Sequence, residues 1–133
     1  MSQDRPLKGK TAIVTGSNSG IGLGVARALA LQGADVVINS FTDSADDHAL
    51  AAALAQETGA EVRYIKADMS KPEECRALIE QAGECHVLVN NAGIQHVAAV
   101  EKFPVETWDA IVAINMSSAF HTSAVALPMM RKA

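Results

Sequence analysis

The stretch TAIVTGSNSGIGLGVARALALQG, residues 11–33, sets the terms for the rest of the chain. Its first part is a short run of β-branched and apolar residues, which reads as a buried strand over 11–16. The second part carries Ile21, Val25 and Leu29 at helical spacing and closes on Gly33. Between them, Gly16 lets the backbone turn sharply off the strand. Gly20 and Gly22 are expected to keep side chains away from a ligand lying across the helix N-terminus. That terminus presents free N–H groups and the positive end of a dipole, which suit a pyrophosphate. A glycine-rich turn that binds nothing is the plain alternative. The position between a buried strand and an amphipathic helix favours a dinucleotide loop.

The alternation continues outward. ADVVIN (34–39) reads as a second strand, and an alanine-rich helix is predicted from about Ser44 to Glu57, closed by Gly59. EVRYIKA (61–67) is a third strand. Ser70 and Glu73 then have the spacing of a capping box, with Pro72 in the first turn of a third helix. HVLVNNAG (86–93) is a fourth strand with its exit loop. From Pro104 a long helical pattern runs to the end through Trp108, Ile111, Val112 and Asn115. Continuously apolar strands alternating with helices predict an α/β fold with a parallel sheet covered on both faces.

The 133 residues suffice for one domain with a core. Lys and Arg number 11 against 15 Asp and Glu, a net charge of −4, which gives no reason to expect a nucleic-acid partner. The apolar runs are alanine-rich and are expected to be too short to span a bilayer. The polar N-terminal segment MSQDRPLKGK reads as neither signal nor transit peptide, so a cytoplasmic location is expected. Cys75 and Cys85 lack a metal spacing and are expected to be free thiols; the four dispersed histidines predict no metal site.

TGxxxGxG after the first strand, followed by NNAG after the fourth, resembles the short-chain dehydrogenase/reductase family. The resemblance implies a Rossmann-type doubly wound sheet, here stopping after the fourth strand and the following helix. Residues 1–133 would then form a single, incomplete dinucleotide-binding domain. It implies a cofactor loop of Gly16, Ser17, Asn18, Ser19, Gly20, Ile21 and Gly22. It further implies an adenine-binding carboxylate at Asp68 with a backbone contact at Met69, and a ribose-side loop of Asn91, Ala92 and Gly93. Asn115 matches the helix asparagine that holds a water in the family's proton relay. Its own chemistry agrees, because an asparagine inside a helix competes for backbone hydrogen bonds and so has a reason to be there.

Two departures stand out. No acid occupies the usual place at the end of the second strand, where the sequence reads INSFTD; no Arg or Lys is there either, so NAD is favoured over NADP. Phe41 there could pack on the adenosine or close the edge of the core. Between Asp68 and Asn91 the chain is also shorter than the family pattern by about one helical turn, and His86 stands where the family often has Asp.

The tract NNAGIQH with the later FPxExWD is similar to the bacterial D-3-hydroxybutyrate dehydrogenase branch of that family. This implies reversible, NAD-dependent oxidation of 3-hydroxybutyrate to acetoacetate, with Gln95 binding the substrate carboxylate. His96 is expected at the loop surface and Trp108 in packing. A homo-oligomer is expected of the full-length form. The family's catalytic Ser and Tyr-x-x-x-Lys have no counterpart. The one tyrosine, Tyr64, lies in the third strand, and four residues on stands Asp68. The chain alone is therefore expected to be inactive, and to expose the fourth strand as an apolar edge prone to aggregation. A non-catalytic nucleotide-binding module, or a reductase of another small hydroxy or keto compound, are the alternatives.

Overall fold

A computed structural model describes residues 5–133, so the first four residues of the polar N-terminal segment lie outside the description. The elements follow in the predicted order: β1 (Thr11–Val14), α1 (Gly20–Leu31), β2 (Asp35–Ser40), α2 (Ala45–Thr58), β3 (Val62–Lys66), α3 (Pro72–Ala82) and β4 (Val87–Val89). After β4 come a long loop with one 3₁₀ turn (Val100–Lys102), α4 (Val105–Val112), a π-helical segment (Ala113–Ser117) and α5 (Ser118–Lys132). The four strands form one parallel sheet in the order β3-β2-β1-β4. This is the Rossmann-type arrangement, in which β1 pairs on both sides and its C-terminal end opens between β2 and β4.

Side-chain alternation along the strands divides the core in two. Ala12, Val14, Val36, Ile38 and Tyr64 face α1 and α2. Ile13 and Val37 face the other way, against Leu78, Ile79 and Cys75 of α3 and Ala126 of α5. α1 meets the sheet through Gly22, Ala26 and Ala30, one small residue per turn, which lets the helix lie close. Ile21, expected on the helical apolar face, is instead 81% exposed in the first turn of α1, while Val25 and Leu29 at the same spacing pack against the core.

α2 begins as read. Ser44 is its N-cap, accepting from Asp47 N–H, and Gly59 closes it in the left-handed conformation at φ 78°. The capping box expected at the start of α3 does not form: the N-cap is Lys71, without a side-chain cap. Ser70 gives its N–H and hydroxyl to Asp68 Oδ1 instead, at 2.9 and 2.7 Å, so a local turn centred on the carboxylate outcompetes the cap.

His86 has a structural use. Its Nδ1 accepts the Thr11 N–H at 2.9 Å, and its own N–H donates to Thr11 O at 2.8 Å, tying the entry of β4 to that of β1.

One sequence expectation needs correcting. α4, the π segment and α5 form one uninterrupted helical rod, Val105–Lys132, of 28 residues, with a stretch of mean hydropathy 1.4. By length and composition it is long enough to cross a bilayer, although the separate apolar runs looked too short. It packs one side on the protein through Ser118, Thr122 and Ala126, and leaves Met116, Phe120 and Leu127 exposed.

Candidate nucleotide site

The C-terminal ends of the four strands meet around a cleft of about 240 Å³. Gly16, Asn39, Ser40, Phe41, Ala67, Asp68, Met69, Asn91, Ala92, Gly93, Ile94 and Ile114 line it. Each strand exit thus contributes. In open α/β sheets a ligand sits in such a crevice, where the strand order reverses.

The glycine loop and the loop after β4 are locked together. Gly16 has φ 59°, and a Cβ there would stand 2.8 Å from Ala92 Cα. A Cβ on Gly22 would run into the Asn91 amide nitrogen and stand 2.5 Å from Gly16 O. Gly22 was expected to clear space for a ligand; what it clears is the approach of Asn91. That side chain donates to Thr15 O at 3.2 Å and Gly16 O at 2.9 Å. Thr15 Oγ1 in turn accepts from Asn91 N–H and Ala92 N–H, both at 3.0 Å. Gly20 is also at φ 59°, with nothing within 4 Å of a Cβ, so it stands at the open mouth.

Ser19 is the N-cap of α1 and makes no side-chain cap, which leaves the first N–H groups of α1 free of it. Ser17 is fully buried. Its hydroxyl donates to Val14 O at 2.6 Å and accepts from Asn39 N–H at 2.9 Å, so the side chain belongs to the framework beneath the cleft. Asn18 extends outward and donates to Asp47 at 3.2 Å.

Asn39, at the end of β2, is fully buried. Its Oδ1 accepts Gly16 N–H at 3.1 Å, while its amide nitrogen donates to Ile65 O at 3.0 Å and Ala67 O at 3.3 Å. An aspartate there could not donate to those carbonyls, which gives a physical reason for an amide in place of an acid. Thr15, Asp47 and the clamping role of Asn39 escaped the sequence reading. The one available signal was a polar residue following three apolar ones in a buried strand. Phe41 is 68% exposed on the cleft rim.

On the opposite wall, Asp68 is held below the usual carboxylate range by the Ser70 hydroxyl first, then the Ser70 N–H, with Lys71 and Lys66 adding to it. Its own N–H donates to Glu74 at 2.9 Å. Met69 is buried beside it.

Asn115 sits in the π segment. Its Oδ1 accepts Ile94 N–H at 2.9 Å and its amide donates to Ile94 O at 2.8 Å. The local widening of the helix and this reciprocal pair bring the rod to the loop after β4. Gln95 is exposed and does not line the cleft. His96 is exposed with its ring edge against Phe103 (5.2 Å), which also meets Trp108 (6.1 Å). Trp108, expected to pack, remains 59% exposed because Phe103 covers only one side of it. Cys75 and Cys85 are buried free thiols, both pushed up to about 11 by burial. Tyr64 is buried and donates its hydroxyl to Thr42 O.

Known proteins share this arrangement. The D-beta-hydroxybutyrate dehydrogenase of Cupriavidus necator is 55% identical over 130 residues, covering 95% of this chain and 50% of that protein. The structure of L-sorbose reductase from Gluconobacter frateurii, complexed with NADPH and L-sorbose, superimposes with a TM-score of 0.90 at 30% identity. It covers 97% of this chain and 50% of that one. The NADH-dependent reductase A1-R', complexed with NAD, gives 0.84 at 34% identity over 95% of this chain and 54% of its own. The chain therefore spans about half the length of the proteins it matches. The sequence profile of the short chain dehydrogenase family matches residues 10–133, and the chain belongs to that family.

Proposed function

We propose that this chain is the nucleotide-binding part of an NAD-dependent D-3-hydroxybutyrate dehydrogenase, which interconverts D-3-hydroxybutyrate and acetoacetate. The observation that carries it is the cleft itself. Four strand ends converge on it, the glycine loop is locked to Asn91 and Ala92, and none of the lining residues is Lys or Arg. The identity to the Cupriavidus necator enzyme supports the substrate.

The residues present fit a dinucleotide. Gly20 at the open mouth leaves room beside the first turn of α1, whose unpaired N–H groups suit a pyrophosphate. Asp68, kept ionised, can accept from an adenine amino group, and Phe41 offers an apolar face on the rim. Gly93 leaves the backbone open beside Asn115, whose side chain would lie 3.6 Å from a Cβ there. When bound, NAD supplies the hydride acceptor. Asn115 holds the loop after β4 through Ile94, and Gln95 next to it is the donor for a substrate carboxylate. The hydroxyl proton needs a base that this chain does not hold, since Tyr64 is buried and bonded to Thr42. The chain by itself is inactive; in the whole enzyme, which is a homo-oligomer, the remaining part supplies the base.

Titration of the chain with NADH, followed by cofactor fluorescence, tests the reading. Saturable binding without 3-hydroxybutyrate-dependent NADH formation is the expected result. Absence of any binding would remove the nucleotide function.

A further inference from the structure

The end of β2 has no acid to greet a ribose 2′-hydroxyl, yet a carboxylate stands close by. Asp47, in the first turn of α2, is 6% exposed. Its two oxygens reach two different loops. Oδ1 accepts from Asn18 Nδ2 of the glycine loop at 3.2 Å. Oδ2 accepts from Thr42 Oγ1 at 2.7 Å and from Ser44 N–H and Oγ, both at 3.0 Å. A helix cap needs only the Ser44 contacts. The bonds to Thr42 and Asn18 go further: they join the loop carrying Phe41 on the cleft rim to the loop carrying Gly16.

Asn18 Nδ2, Thr42 Oγ1 and both donors of Ser44 are therefore engaged by one carboxylate of the chain itself. Among the described residues the ion pairs are Arg27–Glu57, His48–Asp43 and Lys71–Glu74, so no cation neutralises Asp47.

We propose that Asp47 is the residue that sets cofactor choice, holding Asn18 and Thr42 in place and rejecting a 2′-phosphate by a fixed negative charge at the base of the loop that carries Phe41. The proposal rests on the dinucleotide reading above. A 2′-phosphate would bring further negative charge to a corner where the Asn18, Thr42 and Ser44 side-chain donors already serve Asp47 and no cation pairs with that carboxylate, and like charges repel in a partly desolvated site.

The test compares NADH and NADPH binding to the chain, to Asp47→Asn, which removes the charge at constant size, and to Asp47→Ser, which keeps a short cap. Melting curves report folding in parallel. The expected result is a preference for NADH in the unaltered chain, and a shift of the NADPH-to-NADH affinity ratio toward NADPH by about tenfold or more in the variants. A carboxylate that only caps α2 would weaken both cofactors in parallel, and an unchanged ratio in whichever variant folds overturns the proposal. An unaltered chain that binds NADPH as well as NADH also overturns it, while leaving the dinucleotide reading intact. Binding of neither cofactor by a folded unaltered chain overturns the parent reading and this one with it.

Discussion

The two ends of the chain bury themselves in different ways. The half built from β1, α1, β2 and α2 meets its neighbours through small residues and polar clamps: Gly22, Ala26 and Ala30 press on the sheet, and Asn39, Asn91 and Thr15 bind loop to loop. The rod from α4 through α5 instead covers the sheet with Ala126 and Thr122 and leaves Trp108, Met116, Phe120 and Leu127 exposed. In the first region a Cβ added at Gly16 or Gly22 meets backbone. In the second, large apolar side chains stay more than two-fifths exposed, with Trp108 meeting the Phe103 edge and Phe120 meeting Arg76 and His121. Site geometry is set where contacts are closed, so substitutions in the two regions should differ sharply in effect.

Gly22→Ala should break the comparison hardest. Its Cβ falls on Asn91 and Gly16 O, so overpacking of about 3 kcal/mol is expected, read as a lower urea midpoint together with lost NADH binding. Next comes Asn39→Leu, which strands Gly16 N–H and two carbonyls for about 2 kcal/mol. A wild-type urea midpoint in that variant would show that the amide is not a clamp.

Acid should find the same region. Asp47 is held well below the usual carboxylate range by the Ser44 N–H first, then the Thr42 hydroxyl, with Asn18 and the Ser44 hydroxyl adding. Its folded value is depressed, so its contribution is complete above the unfolded value of about 4 and fades as pH falls below that. Asp68 adds the same sign. The drop in urea midpoint between about pH 5 and about pH 2.5 should be smaller in Asp47→Asn than in the unaltered chain; equal drops would deny Asp47 any such share.

The smallest effects belong to the rod. Met116→Gln, on its exposed side, should move stability by no more than about 0.5 kcal/mol, measurable by thermal melting. The two thiols sharpen the point from the buried side. Cys75 and Cys85 should stay unmodified by a thiol reagent at neutral pH until denaturant is added, because burial both hides them and keeps them protonated.

Much of this was legible beforehand. Strand and helix order followed from apolar periodicity, because burial on both faces of a parallel sheet demands it. The glycine loop followed from its place between strand and helix. The α2 start near Ser44 and its close at Gly59 were also legible, because such ends are local in sequence, where three or four residues contain the whole interaction. The α3 start was misread for the opposite reason: Ser70 had a choice between capping a helix and turning on Asp68, and composition does not rank the two.

What lay beyond reach was long-range. Ile21 has helical spacing like Val25 and Leu29, yet those two pack against the core and Ile21, in the first turn of α1, stays outside. The sequence shows that Gly22 is a glycine; that its neighbour is Asn91 depends on a contact spanning more than half the chain. Asp47 reads as an ordinary first-turn acid until tertiary structure brings Asn18 and Thr42 to its two oxygens. The sequence by itself determined the elements, their order and the family, because these follow from local pattern and motif. Tertiary structure alone decided which polar groups meet across loops, because hydrogen bonds between distant segments depend on where the sheet delivers its strand ends.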